Sequence, residues 1–301
     1  MDQAINEPAD GASPSVDYGR PHDIEELSNR AIIHPLSDRV VRLGVKLGVS
    51  ANAVSFAGLA CGLMAAIAYT QVPNAAFVIA GFLLMVIWHI LDGADGRLAR
   101  ATGTSSAFGR VIDGVCDHLV YTAVYIALTL KLIASGYSLD IWWLVVGAGL
   151  SHAIQAAGYE ERRQKYQRRM KGTDRAATAG GLLTIEGKKS LLAGIYDLVQ
   201  KLVAGGDYGF DDALTKLKQT KGDAHMATLA IEQTVPMVKS WSILNANNRT
   251  LLIFLFCLAG EPLYYFAFEL TVLNLVLIIL MIAEWRHEKQ LVSSVERLYA
   301  R

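Results

Sequence analysis

Between Lys46 and Asp92 the chain carries no charged side chain. A bilayer core of ~30 Å needs about 20 apolar helical residues. This window therefore predicts two membrane spans, Ala53–Thr70 and Ala75–Leu91, with a turn at Gln71-Val72-Pro73-Asn74. Ile141–Ala157 predicts a fourth span, and Leu263–Ala283, with Glu269 inside it, a sixth. The third and fifth are short of apolar residues: Leu119–Leu130 has twelve and Thr250–Gly260 eleven. To cross, the third has to begin near Gly109 and take Asp113 and Asp117 to membrane depth. The fifth has to begin near Ser240 and take Asn245, Asn247, Asn248 and Arg249 with it. Polar residues at that depth face a bundle interior or a watery cavity. The pattern thus predicts an all-α integral membrane protein, a six-transmembrane-helix bundle with a polar cavity at one membrane face.

Outside the bundle, residues 1–20 are polar, contain Pro8, Gly11, Pro14 and Gly19, and read as disordered. In 21–50 the residues Ile32, Leu36, Val40, Leu43 and Leu47 recur every three or four positions, interleaved with Arg39, Arg42 and Lys46. That is an amphipathic helix lying in the interface. Residues 51–160 hold the first four spans, 161–240 a helical cytoplasmic insertion, 241–286 the last two spans and 287–301 a cytoplasmic tail. Within the insertion, Ser190–Val203, Asp211–Gln219 and Ala224–Val235 read as helices separated by Gly205-Gly206 and Gly222. It is expected to be an appendage that the core does not need.

Orientation follows from Lys and Arg. The loops near 71–74, 131–140 and 259–262 contain Lys131 and no Arg. The opposite side carries Arg97, Arg100 and Arg110, the run Arg162–Lys171, then Arg286 and Lys289. Both termini and the polar cavity are therefore expected in the cytoplasm, and the basic run reads as an anchor on anionic lipid. No apolar leader precedes residue 50, so no cleaved signal peptide is expected.

Composition agrees. The chain has 301 residues, 52% apolar and 19% charged, with a formal net charge of zero and a mean hydropathy of +0.31. This excludes an ordinary soluble domain, a disordered chain and a nucleic-acid binder steered by net charge. Cys61, Cys116 and Cys257 all lie in apolar stretches, which excludes a disulfide framework or a CxxC metal site.

The chemistry is concentrated where the second span ends. Asp92-Gly93-Ala94-Asp95-Gly96-Arg97-Leu98-Ala99-Arg100 is followed, eight residues on, by Gly109, then by Asp113 and Asp117. Asp92 and Asp95 are i,i+3 and Asp113 and Asp117 are i,i+4, so each pair shares a helix face. Four carboxylates brought together need cations to neutralise them. Hard oxygen ligands in that number suit Mg²⁺ or Mn²⁺ as a pair. Gly93, Gly96 and Ala99 leave one face bare for a ligand or a neighbouring helix, and the Arg100 fork suits a diphosphate. His89 and His118 read as structural. On the fourth span His152, Gln155, Tyr159 and Arg163 form one stripe. It serves either interhelical hydrogen bonding or binding of a substrate. Arg249, at cavity depth, needs an anion: the Asp cluster, or a phosphate or carboxylate of a substrate.

The run Asp92-x2-Asp95-Gly96-x2-Ala99-Arg100-x8-Gly109-x3-Asp113-x3-Asp117 resembles the complete signature of the CDP-alcohol phosphotransferases. The resemblance implies a CDP-linked donor, an alcohol acceptor, two divalent metals, release of CMP and a homodimer in a membrane, here a bacterial inner membrane. It implies that Asp92, Asp95 and Asp113 ligate metal, with Asp117 as ligand or base, and that Gly96, Ala99 and Arg100 hold the nucleotide. Where the family often has Thr-Pro-Asn, this chain reads Ser50-Ala51-Asn52, with Ser55 following, so Asn52 and Ser55 join the nucleotide candidates. Asp117 is the candidate catalytic base, Asp113 the alternative. Arg249, Tyr159 and Arg163 are the acceptor-binding candidates. Two versions of the reaction stay open: CDP-diacylglycerol with a polar alcohol, or a CDP-amino alcohol with a diacylglycerol-like lipid. The different-class alternative is a non-catalytic membrane scaffold, against which four stacked acids argue.

Overall fold

The computed structural model describes residues 22–172, 184–185, 188–189, 209–221 and 224–299. Within these, the side chains at 107–108 and 110–114, Asp113 among them, lie outside the described set. The expected disordered segment 1–20, the helix at Ser190–Val203 and the breaks at Gly205-Gly206 and Gly222 also lie outside it.

The amphipathic stretch forms short turns at His22–Ile24 and Asn29–Ile33 and then α1, His34–Leu47. Next come α2 (Ala51–Tyr69), α3 (Ala75–Ala101), α4 (Ala107–Ala134) and α5 (Ile141–Lys171). A minimal ladder pairs Thr184–Ile185 with Lys188–Lys189. It precedes α6 (Phe210–Lys221), α7 (Ala224–Glu232), α8 (Val235–Trp241), α9 (Ala246–Leu258), α10 (Pro262–Phe268) and α11 (Asn274–Tyr299). The side chains of Ser50, Asn74, Ser106 and Asn245 accept backbone N–H groups at the starts of α2, α3, α4 and α9. Each satisfies a donor that its helix cannot pair internally.

Among the described residues, five helical stretches are long and apolar enough to cross a membrane: α2, α3, Val115–Ala134 of α4, α5, and the continuous Pro262–Arg297. The last joins α10 to α11 through a π turn at Glu269–Leu273. The fifth expected span departs from its sequence pattern. It does not run from near Ser240 but starts at Ala246, and α9 is 13 residues long, which is about 20 Å. The cause is Asn245, whose extended backbone (ψ 166°) breaks the chain after the turn Ser242–Leu244. Its side chain caps α9 and donates to the Glu26 carboxylate.

The bundle core gathers Tyr69, Met85, Trp88, Val120, Tyr125, Leu128, Val145, Ile253, Tyr265 and Phe266 from α2, α3, α4, α5, α9 and α10. Phe56, Ile67, Leu83, Leu130, Leu150 and Ile278 point outward. At Gly62 a Cβ would sit 2.4 Å from Val120 Cγ2, so only glycine lets α2 and α4 approach this closely.

α5 and α11 continue well past the apolar runs that define their spans. From Arg162 to Arg169 the basic run of α5 is paired with protein carboxylates, which leaves only Lys171 of it to meet lipid as the anchor reading requires. Arg162 pairs with Glu284 at 2.9 Å, Lys165 and Arg169 with Glu288 at 2.9 Å, Arg168 with Glu161 at 2.8 Å, and Arg169 with Asp211 at 2.6 Å. Beside these pairs a second core joins Ile24, Tyr166, Phe210, Leu217, Ile231, Leu291 and Val295. The insertion helices α6 and α7 thus share buried surface with the N-terminal arm, α5 and the last helix, which is at odds with a separable appendage.

Candidate active site

α3 stays helical through Ala101, so its spacing sets the geometry. At about 100° per residue, Asp92, Asp95, Gly96, Ala99 and Arg100 fall within an arc of about 140°. That face meets a cavity of about 720 Å³ between the C-terminal end of α1, the first turns of α2 and the loop from α3 to α4. Its lining includes Asn52, Ser55, Asp95, Gly96, Ala99, Arg100 and Gly109, together with the hydroxyl residues Ser50, Thr102, Thr104, Ser105 and Ser106. All five nucleotide candidates are therefore brought to one place. The hydroxyl residues of the α3–α4 turn were not singled out by sequence reasoning; their density beside the motif was the available signal.

Asp95 is 4% exposed, and the Ser55 hydroxyl donates to its Oδ2 at 2.5 Å, orienting the carboxylate and tying α2 to α3. A Cβ at Gly96 would find Arg100 Nη1 as its nearest neighbour, at 3.6 Å, so this glycine keeps open the face that lines the cavity. Gly93 does something else. A Cβ there would meet Ser37 Oγ at 3.0 Å, because α1 packs on that side. Arg97 holds the same joint: its guanidinium pairs with Asp38 at 2.9 Å and its Nε donates to Gly93 O at 2.6 Å. Arg97 belongs to the packing of α1 on α3. Across the cavity, a Cβ at Gly109 would lie 3.7 Å from Asn52 Oδ1.

Asp92 and Asp117 are half-buried, Asp92 one turn before Asp95 and Asp117 on α4. Neither lines the cavity. Asp113 lies on α4 with its side chain outside the described residues. Among the described residues, no three of His, Cys, Asp and Glu gather closely enough to hold a metal ion. The donor set nevertheless fits a hard divalent cation, because every motif acid offers carboxylate oxygen and Asp95 is already oriented by Ser55.

The acceptor candidates are placed differently from expectation. Arg249 is fully buried in the bundle: its Nη2 donates to Gln155 Oε1 at 2.7 Å, Nη1 donates to Leu244 O, and Nε lies 3.5 Å from Glu269 Oε2. Its carboxylate partner is Glu269 rather than the Asp cluster, because α9 turns it toward α5 and the turn that follows α10. Tyr159 donates to the Glu26 carboxylate and Arg163 pairs with Glu160 at 3.0 Å. Both line a crevice of only about 20 Å³, apart from the large cavity. The rest of the stripe on α5 is spent on interhelical hydrogen bonds, His152 with Tyr125 at 3.1 Å and Gln155 with Asn274 at 2.9 Å.

Residues 48–189 match the family model for CDP-alcohol phosphatidyltransferase. The matched segment begins at the rim of the cavity and covers α2 to α5; α6 to α11 lie beyond it. Similar proteins include a phosphatidylinositol phosphate synthase of Mycolicibacterium smegmatis, 29% identical over 121 residues, 40% of this chain and 48% of that one. A phosphatidylinositol phosphate synthase of Corynebacterium glutamicum is 27% identical over 131 residues, 44% of this chain and 53% of that one. A CDP-diacylglycerol–serine O-phosphatidyltransferase of Encephalitozoon cuniculi is 30% identical over 112 residues, 34% of this chain and 28% of that one. The chain spans about half the length of the first of these relatives. No solved structure matches it.

Proposed function

We propose that the protein transfers a phosphatidyl group from CDP-diacylglycerol to a polar alcohol, with release of CMP, in phospholipid synthesis. The observation that carries this reading is the single cavity holding Asn52, Ser55, Asp95, Gly96, Ala99 and Arg100 at the end of a membrane-length helix. A lipid-linked donor has its tails in the bilayer and its diphosphate at the surface, and such a site meets both. The names of the similar proteins support CDP-diacylglycerol over a CDP-amino alcohol as donor.

Asp92, Asp95, Asp113 and Asp117 would hold two Mg²⁺ or Mn²⁺ ions, which when bound neutralise charge on the diphosphate. Arg100 offers its fork to the diphosphate, and the bare Gly96 face admits it. Asp117 takes the proton of the acceptor hydroxyl as its oxygen attacks the phosphorus of the phosphatidyl group. The bond from that phosphorus to the bridging oxygen breaks, and CMP leaves with the electron pair. Asp113, one turn earlier, is the second position from which the proton can be taken.

In this reading α9 is the fifth of six spans, crossing a locally thin section, and α1 lies in the interface. Its outward Leu43 and Leu47 beside exposed Arg39, Arg42 and Lys46 support that placement. The site and both termini face the cytoplasm, and the protein works as a homodimer. The test is CMP release by purified protein given CDP-diacylglycerol, Mg²⁺ or Mn²⁺ and a panel of alcohols including inositol phosphate, glycerol phosphate and serine. Asp92→Asn and Asp95→Asn should each abolish release while leaving a folded protein. Near-normal turnover by either would refute the assignment.

A further inference from the structure

α3 and α4, which carry the four motif acids, meet directly at few points, Trp88 edge-on against Tyr121 at 5.4 Å among them; α2 lies against both, and α9 packs on α3. One turn deeper in the bundle a buried hydroxyl connects them. Thr250, on α9, lies 2.8 Å from His89 Nε2 of α3 and 3.1 Å from the Tyr121 hydroxyl of α4. All three side chains are buried, Thr250 at 2% exposure. The Tyr121 hydroxyl lies 2.6 Å from the Ala246 carbonyl. A carbonyl only accepts, so the Tyr121 proton is spent on Ala246. Its oxygen is then left to accept from the Thr250 hydroxyl. Thr250, having one proton, must in turn accept from His89, which therefore carries a proton on Nε2. The relay runs one way: His89 to Thr250 to Tyr121 to Ala246. The Thr250 hydroxyl both accepts and donates within this spacing.

His89 is three residues before Asp92, and Tyr121 is four after Asp117. On a helix these are neighbouring positions along one side. We propose that Thr250 is a positioning residue, whose hydroxyl sets the spacing and rotation of the two acid-bearing helices and so the geometry of the carboxylates above it. The inference rests on the proposed transfer reaction and adds a residue outside both the motif and the matched segment 48–189. Groups hydrogen-bonded to metal ligands are worth about 10- to 100-fold in metal affinity or activity; Thr250 acts through His89 and Tyr121, one step further out, so the lower end of that range is the expectation.

The experiment uses the full chain in detergent with Thr250→Val, Thr250→Ser and Tyr121→Phe. Mn²⁺ binding is read by EPR, kcat and donor KM by CMP release, and folding by melting temperature. Thr250→Val removes the hydroxyl at nearly constant volume. It should weaken Mn²⁺ binding and lower kcat, each about 10-fold, with the donor KM changed less than about twofold. Tyr121→Phe breaks the relay at its next member; it should behave alike and replaces the valine variant if that fails to fold. Thr250→Ser keeps the hydroxyl and should stay within about threefold of wild type. Wild-type Mn²⁺ binding and kcat in Thr250→Val, or a serine variant as impaired as the valine one, would overturn the proposal. A wild type that binds no Mn²⁺ would overturn it too. A wild type that binds Mn²⁺ but releases no CMP refutes the transfer reaction, and the Mn²⁺ comparison among variants still decides the role of Thr250.

Discussion

Arg249→Met strands a carboxylate inside the bundle. The Arg249 and Glu269 side chains are 1% and 0% exposed and approach to 3.5 Å. The substitution also leaves Gln155 Oε1 without its 2.7 Å donor. Breaking a buried ion pair by removing one partner costs about 3–5 kcal/mol. Glu269 keeps a hydrogen bond from the Tyr265 hydroxyl at 3.2 Å and can take up a proton, so the lower end applies, about 3 kcal/mol. That is a large share of a typical total of about 5–15 kcal/mol. Arg249→Met/Glu269→Met removes both charges. It should recover about 1–3 kcal/mol of the loss, since apolar residues of similar volume replace buried pairs well. Denaturant unfolding in detergent, followed by the fluorescence of the five tryptophans, measures both. A single variant costing under about 1 kcal/mol, with a double variant no more stable than the single, would refute the pairing. A raised acceptor KM in folded Arg249→Met at unchanged stability would restore Arg249 as an acceptor contact.

Gly62→Ala should destabilise by about 1–3 kcal/mol, because the added carbon would lie 2.4 Å from Val120 Cγ2; thermal unfolding reads it, and Val120→Ala in the same chain should relieve it. Gly96→Ala, whose nearest neighbour would be Arg100 Nη1 at 3.6 Å, should leave the melting temperature unchanged and raise the donor KM in a CMP-release assay. An unchanged KM would mean that the donor does not approach this face. Glu288→Gln removes the charge shared by Lys165 and Arg169, and limited proteolysis should then cut the 172–235 region faster than in wild type.

The membrane class, five of the six expected helical spans and the acid motif were all legible in the chain. Each depends on local quantities: the bilayer sets the length of an apolar run, and a helix brings residues three and four apart onto one face. The convergence of Asn52 and Ser55 with Asp95, Gly96 and Arg100 was reached through the resemblance of the motif rather than through spacing. What escaped the sequence was partner identity. Arg249 reads as a cation in want of an anion, and whether that anion is Asp95, a substrate or Glu269 depends on how α9 is rotated against α5 and α10. Gln155 and Arg249 are 94 positions apart, and no periodicity relates them. The basic run Arg162–Arg169 looks the same whether it faces lipid or Glu284 and Glu288. Gly93 and Gly96 are three residues apart, yet one serves the packing of α1 and the other lines the cavity. Sequence determines which faces are polar, small or charged, because those are properties of one helix. Tertiary structure decides what each face meets, because that requires the position of a second.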